Sequence, residues 1–422
     1  MSHRLFVEAF ARSKPSRFYY FTFTLGIVSL LVFGACQLSN PACRAGQFLY
    51  IGVNLAGAEF GENFPGVYGQ NYTYPTSSEV NYFIGKGMNT FRLPFRWERL
   101  QTTENAALNA VELGRIDTFV SQATSQGANV ILDPHNFGRY YPSPSNVYSD
   151  PNPNTIIGAG VPNSAFANFW SQIANQYKGN SHVIFDLMNE PNGTSTEQWL
   201  GAANAAIAAI RATGAKNLIL VPGNDYTTAQ TWTSNSYGTP NATAMLGVVD
   251  PARNFAFDVH QYMDSDHSGT SPQINNNDPM TGVERVTAIT QWLHANGLKA
   301  FLGETAVANS SIGPAPSQIG AATMQNMLNY MQANSDVWIG FTWWAGGPWW
   351  PGSQASPTQT PYLFLLDPQN LGQNNQTDQP AMAVLQPYLT HVPEPSSGAL
   401  GALGFLGLAA WRRQRRKAAL PQ

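Results

Sequence analysis

The stretch HVIFDLMNEP, residues 182–191, runs from an apolar segment directly into Asn189, Glu190 and Pro191. Its apolar part is continuous rather than alternating, which is typical of a strand buried on both faces in a parallel sheet. Pro191 has no backbone N–H to donate to a sheet, so it marks the end of the strand. The carboxylate of Glu190 therefore stands directly after the end of a buried strand.

Similar apolar segments recur along the chain, with segments of helical length such as WLGAANAAIAAIRATGA, residues 199–215, between them. Eight strand-then-helix units predict a (β/α)8 TIM barrel, an α/β fold, over residues 47–390. The strand candidates are FLYIGVNL from 48, MNTFRLPF from 88, NVILDPHN from 129, HVIFDLMN from 182, NLILVPGN from 217, NFAFDVHQY from 254, KAFLGET from 299 and VWIGFTWW from 337.

Polar and aromatic side chains stand where these strands end, and the active site of such a barrel is built at that end. Strands four and seven lie on opposite sides of a small barrel, so Glu190 and Glu304 are predicted to face each other across the mouth. Two facing carboxylates are the minimal equipment for cleaving a glycosidic bond. The other residues at strand ends are Arg92, His135, Asn189, His260, Tyr262 and Trp343.

A metal centre is the alternative use of two histidines and two carboxylates. The chain lacks the paired local spacing of a motif such as HExxH, so we expect neither a metal nor a cofactor. At the last strand, alternation predicts that Trp343 faces the mouth and Trp344 packs into the core.

The motifs FRLPF, DPHN, NEP, HQY and GET, with a late tryptophan, resemble glycoside hydrolase family 5 over residues 49–345. HQYMDSDHSGT, residues 260–270, and GVNLAGAEFG from 52 are further similar to its endo-β-1,4-glucanase subfamily. The resemblance implies Glu190 as acid/base and Glu304 as nucleophile. It implies Asn189 as a hydrogen-bonding partner of the sugar 2-hydroxyl and Trp343 as the sugar platform, with supporting roles for Arg92, His135, His260 and Tyr262.

Composition agrees with a neutral polymer as the ligand. Charged residues are 11% of the chain and the net charge is −3, which offers no basic surface for nucleic acid. We therefore expect a β-glucan polysaccharide as the partner and no nucleic acid.

Both ends of the chain are typical of sorting signals. Basic residues precede the apolar run FTFTLGIVSLLVFGA, residues 21–35, which predicts an export signal within a leader of residues 1–46. The only cysteines, Cys36 and Cys43, lie at this boundary, and Cys36 leaves lipidation open.

The tail, residues 391–422, contains Val392-Pro393-Glu394-Pro395, a short apolar stretch and an arginine-rich end. It resembles the PEP-CTERM sorting signal of Gram-negative bacteria, which implies exosortase-type sorting machinery as a partner. The apolar stretch is shorter than the roughly 20 residues that span a bilayer, so we expect a transient membrane association.

Together these observations predict a secreted or cell-surface, retaining endo-β-1,4-glucanase of a Gram-negative bacterium. Two alternatives stay open at this stage. One is a glycanase acting on mannan, xyloglucan or an exopolysaccharide, and the other is a carbohydrate-binding matrix protein without turnover.

Overall fold

The computed structural model describes residues 46–141, 152–234 and 238–389 of the chain. The predicted leader up to residue 45, both cysteines and the predicted tail lie outside these ranges. Within them, none of the helices is both long enough and apolar enough to pass through a bilayer.

Eight parallel strands close into a barrel in which each strand pairs with the next along the chain and β8 pairs with β1. All eight predicted strands form, and the predicted fold is confirmed. The strands are β1 Tyr50–Leu55, β2 Thr90–Phe95, β3 Asn129–Pro134, β4 Val183–Asp186, β5 Ile219–Pro222, β6 Phe255–His260, β7 Ala300–Thr305 and β8 Trp338–Gly346.

Helices connect successive strands and cover the outside of the barrel, and their starts carry local sequence signals. At the first helix the Thr76 hydroxyl accepts from Glu79 N at 3.3 Å while the Glu79 carboxylate accepts from Thr76 N at 2.6 Å, a reciprocal cap. The helices are α1 Ser77–Gly85, α2 Trp97–Leu100, α3 Ala110–Thr124, α4 Asn163–Tyr177, α5 Thr196–Ala212, α6 Asn241–Ala244, α7 Thr281–Asn296, α8 Gly320–Ala333 and α9 Pro380–Leu385.

The barrel interior is layered, with an apolar layer below a charged one. The apolar layer consists of Ile131, Ile184, Leu220, Ala256, Phe301 and Ile339. On three of these strands, the residue two positions further on is an aspartate, and residues two apart in a strand point to the same face. Asp133, Asp186 and Asp258 therefore form a wholly buried aspartate layer just below the mouth.

The predicted facing of the two tryptophans on β8 is wrong. Trp343 is wholly buried in the outer core, where its Nε1 donates to the carbonyl of Phe364 at 2.8 Å. Trp344 is partly exposed, and its ring stacks on that of His135 with centroids 5.4 Å apart.

A β-bulge explains the error. Ala300 pairs with Trp338 and Leu302 with Phe341, so two steps along β7 oppose three along β8. One extra residue in a strand inverts the facing of every residue after it. Ile339 accordingly lies inside the barrel whereas Phe341, two residues later, lies in the outer core.

Candidate active site

The structure brings almost all the predicted site residues together at the carboxyl end of the barrel. Arg92 lies on β2, His260 ends β6 and Glu304 lies near the end of β7. The turns after β3, β4 and β6 supply His135, Asn189, Glu190 and Tyr262. Trp343 is the exception, because its side chain packs away from the mouth.

Glu304 is held by a cation and a hydroxyl. Arg92 Nη1 lies 2.8 Å from its Oε1, and the Tyr262 hydroxyl donates to its Oε2 at 2.8 Å. Burial and the negative charge of Glu304 raise the pKa of Tyr262 well above its usual range, so the phenol keeps its proton and stays a donor. Both oxygens of Glu304 are thus held by donors, which fixes the orientation of the carboxyl group.

Glu190 sits in a different environment. Burial raises the pKa of its carboxyl, and hydrogen bonding to His260 only partly offsets this effect. Its Oε1 lies 2.8 Å from Nδ1 of His260. Of the two carboxyl groups, Glu190 is thus the one suited to carry a proton.

The backbone of Glu190 is left-handed, with φ of 43°. Residues other than glycine seldom adopt this conformation. It costs about 1–3 kcal/mol and persists only where the surrounding structure imposes it. Two backbone bonds flank it, from Asn189 N to the Pro134 carbonyl at 3.0 Å and from Tyr226 N to the Pro191 carbonyl at 3.2 Å. These bonds anchor the turn between β3 and β5, and the turn directs Glu190 toward Glu304.

The two carboxyl groups are close together. One oxygen of Glu190, one oxygen of Glu304 and one nitrogen of His260 all lie within 4.8 Å of one another. Such a group of atoms has the size of a metal site. Glu304, however, is already neutralised by the Arg92 guanidinium, whose charge disfavours a second cation there. We therefore assign no metal to these residues.

Asn189 is oriented by Arg92 and presents free donors. Its Oδ1 accepts from Arg92 Nη2 at 3.0 Å, which fixes the orientation of the amide. Its Nδ2 is buried and has no hydrogen-bond partner among the described residues. Buried donors are nearly always satisfied, so this amide group is available for a hydroxyl of a bound sugar.

His135 is a neutral hydrogen-bonding group. Burial lowers the pKa of its imidazole well below the usual range. Its Nδ1 lies 2.8 Å from Oδ2 of Asp133, and its ring stacks on Trp344 with 16° between the planes. The side chain therefore braces Trp344 at the mouth.

Sequence reasoning missed a second group of residues beside Glu190. A cavity of about 410 Å³ adjoins it, lined in part by Asp225, Tyr226 and His267. Backbone φ values of 58°, 57° and 51° at residues 225–227 create this turn after β5. The sequence Gly223-Asn224-Asp225 was the signal that could have indicated a turn here. The segment of residues 262–271 also lines part of this cavity. It folds around the Asp264 carboxylate, which accepts from the backbone N–H groups of residues 269–271.

Comparison with known proteins places this geometry in a family. Residues 53–347 match the family model for cellulase (glycosyl hydrolase family 5), and residues 391–416 match the PEP-CTERM protein-sorting motif. An endo-beta-1,4-glucanase B from Aspergillus niger is 38% identical over 326 residues, which cover 77% of this chain and 87% of that protein.

Two solved structures are similar throughout the barrel. An endo-beta-1,4-glucanase from Xanthomonas axonopodis pv. citri is 39% identical with a TM-score of 0.71, covering 81% of this chain and 98% of that one. The Pseudomonas stutzeri endoglucanase Cel5A, solved with cellobiose, is 32% identical with a TM-score of 0.68, covering 82% and 94% of the two chains. The resemblance seen in the sequence motifs is confirmed, and the chain belongs to glycosyl hydrolase family 5, the cellulase family.

Proposed function

We propose that the protein is a retaining endo-β-1,4-glucanase that cleaves internal bonds of cellulose or a related β-glucan. The observation that carries the proposal is the pair of carboxyl groups, Glu190 and Glu304, with oxygens within 4.8 Å of each other. Retaining glycosidases hold their two carboxyl groups about 5–5.5 Å apart, whereas inverting enzymes need about 6.5–9.5 Å to admit a water. The relatives named endo-beta-1,4-glucanase support the choice of substrate.

In the first step Glu304 attacks the anomeric carbon and the glycosidic bond breaks. Glu190 gives its proton to the departing oxygen, so the leaving sugar departs as a neutral alcohol. Arg92 and Tyr262 hold the nucleophile in place through both of its oxygens. The products of this step are a glycosyl ester on Glu304 and an ionised Glu190.

In the second step a water attacks the same carbon. Glu190, now a carboxylate, takes a proton from that water, and the ester bond to Glu304 breaks. Two inversions at one carbon restore the original configuration. The enzyme returns to its starting state with Glu304 ionised and Glu190 protonated.

Two residues are suited to bind the sugar at the cleavage point. Trp344 presents a partly exposed ring at the mouth, where an aromatic face can cover the CH groups of a pyranose. The unpaired amide donors of Asn189 lie beside Arg92, close to the nucleophile, and are suited to the 2-hydroxyl. Trp344 thus takes the platform role that the sequence assigned to Trp343.

The ends of the chain support export. The tail's match to a protein-sorting motif, with the basic and apolar leader, indicates a protein that leaves the cytoplasm of a Gram-negative bacterium. We propose that exosortase-type machinery removes the tail and that membrane association through it is transient.

The paired carboxylates generate the first prediction. Glu304→Gln should lose nearly all turnover on every substrate while still binding oligosaccharide, because no nucleophile is left. Glu190→Gln should lower kcat/KM on cellopentaose by about 10²–10⁴-fold but spare activated aryl cellobiosides, whose leaving group needs no proton.

Reducing-end release from carboxymethylcellulose, β-glucan, mannan and xylan identifies the polymer that the wild-type enzyme cleaves.

Glu197→Gln, at an exposed glutamate in the first turn of α5, is the matched control and should behave as wild type. Full turnover by Glu304→Gln would overturn the mechanism. Hydrolysis confined to mannan or xylan would overturn the choice of substrate. Tight binding of all four polymers without turnover would point to a carbohydrate-binding protein.

The second prediction separates the two tryptophans. Trp343→Ala should lower the free energy of unfolding by about 3–5 kcal/mol, because it empties a filled site in the outer core. Trp344→Ala should reduce stability much less but lower kcat/KM about tenfold, equivalent to about 1.4 kcal/mol of lost sugar contact. Thermal melts and kinetics on cellopentaose measure both. The reverse pattern would contradict the facing described for β8.

The third prediction concerns the tail. Protein released by the native host should lack residues 412–417, the basic end that a processed anchor leaves behind. Intact-mass analysis of released protein reads this directly. Residues 412–417 still present on released protein would contradict processing.

A further inference from the structure

His260 is held between carboxylates at both of its ring nitrogens. Its Nδ1 lies 2.8 Å from Glu190 Oε1 and 3.6 Å from Glu304 Oε2. Its Nε2 lies 3.3 Å from Asp258 Oδ2, which is ion-pair distance, and neither of these two atoms makes a hydrogen bond among the described residues. Asp258 has no role in the mechanism above, yet it contacts His260, which in turn contacts Glu190.

Residues of two neighbouring strands form this contact between Asp258 and His260. Asp258 and His260 are two residues apart on β6, so both side chains point into the barrel, one above the other. On the neighbouring strand β7, Gly303 leaves room for the aspartate, since a Cβ at that position would lie 2.3 Å from Asp258 Oδ1. Glu304 follows this glycine directly. The space left by Gly303 therefore accommodates the Asp258 carboxylate next to Glu304.

We propose that Asp258 is a positioning residue for the acid/base: it keeps a second proton on His260, so that the imidazolium fixes and tunes Glu190. The proposal rests on the function assigned to Glu190 above. With the proton of Glu190 on Oε2, its Oε1 faces Nδ1 as an acceptor. Asp258 Oδ2 faces Nε2 with lone pairs only, so the ring needs an N–H at both nitrogens. Only the imidazolium has both.

The charges around the ring agree with this state. Burial lowers the pKa of His260, but the carboxylates of Glu304, Asp258 and Glu190 outweigh it and raise the pKa well above the usual range. At the neighbouring Asp186, burial and the charge of Asp258 raise the pKa of the carboxyl well above its usual range. Asp186 therefore retains a proton within this layer.

The consequence for catalysis lies in which oxygen of Glu190 holds the transferable proton. Nδ1–H of His260 donates to Oε1, so the acidic proton resides on Oε2. When Oε2 gives that proton to the leaving oxygen, the adjacent imidazolium stabilises the new carboxylate until water returns a proton in the second step. Without the charge on His260, Glu190 becomes a weaker acid.

The test is Asp258→Asn, which keeps the shape but places an amide beside Nε2 and removes the anion. We expect kcat/KM on cellopentaose to fall about ten- to a hundredfold, whereas kcat/KM on 2,4-dinitrophenyl β-cellobioside should change less than about threefold. A purely structural role would lower both by the same factor, and that result would overturn the proposal.

Asp186→Asn is the matched control, because Asp186 belongs to the same buried layer but pairs with Arg92, 3.0 Å away. It should lower kcat/KM on the two substrates equally. Discrimination as large as that of Asp258→Asn would assign the effect to a general disturbance of the buried layer and overturn a specific role for Asp258. Glu190→Gln separates failure of this proposal from failure of the proposed function. If Glu190→Gln lowers kcat/KM on both substrates by the same factor, the proposed function fails as well.

A measurement on the wild-type enzyme covers the case in which Asp258→Asn fails to fold. Nitrogen-15 NMR of histidine-labelled enzyme, assigned with His260→Gln, should show protons on both ring nitrogens of His260 at neutral pH. A bare ring nitrogen at His260 would overturn the proposal.

Discussion

The contacts of one buried guanidinium organise the mouth of this barrel. Arg92 is wholly inaccessible, and its nitrogens reach Glu304 at 2.8 Å, Asp186 at 3.0 Å and Asn189 at 3.0 Å. These residues come from β2, β4, β7 and the turn after β4. Burying charges costs free energy unless they are paired, so removing Arg92 would leave several carboxylates unpaired. The position of Glu304 thus depends on the same guanidinium that pairs with the aspartate layer.

The aspartate layer places negative charge where apolar side chains would give a more stable barrel. Burial raises the pKa of Asp133 to about 7 and that of Asp186 well above its usual range, so protons are held in this layer. Buried ionisable groups of this kind occur mainly where function requires them. Here they lie directly under Glu190 and Glu304, for which the proposed mechanism requires opposite protonation states.

The sequence was sufficient for the fold and for most of the site, and the reason is topological. Continuous apolar strands that alternate with helices allow one closed barrel, and in that barrel every strand ends at the same mouth. Motif positions such as Arg92, Glu190 and Glu304 therefore meet regardless of their distance along the chain. The side of the sheet to which a side chain points is harder to predict, because one bulge in β8 reverses it for the residues that follow. At residues 225–227 the preceding Gly and Asn indicate a turn, but the left-handed conformation of Tyr226 and Thr227 has no signal in the sequence.

In the proposed mechanism Glu304 attacks the sugar directly while Glu190 supplies and recovers the proton. The most direct measurement is proton NMR of the anomeric signals during the first moments of hydrolysis of a cello-oligosaccharide, before mutarotation. Direct attack followed by attack of water retains configuration, so the β-anomer should appear first. Initial appearance of the α-anomer would mean a single displacement by water. It would contradict both the nucleophilic role of Glu304 and the short distance between the two carboxyl groups.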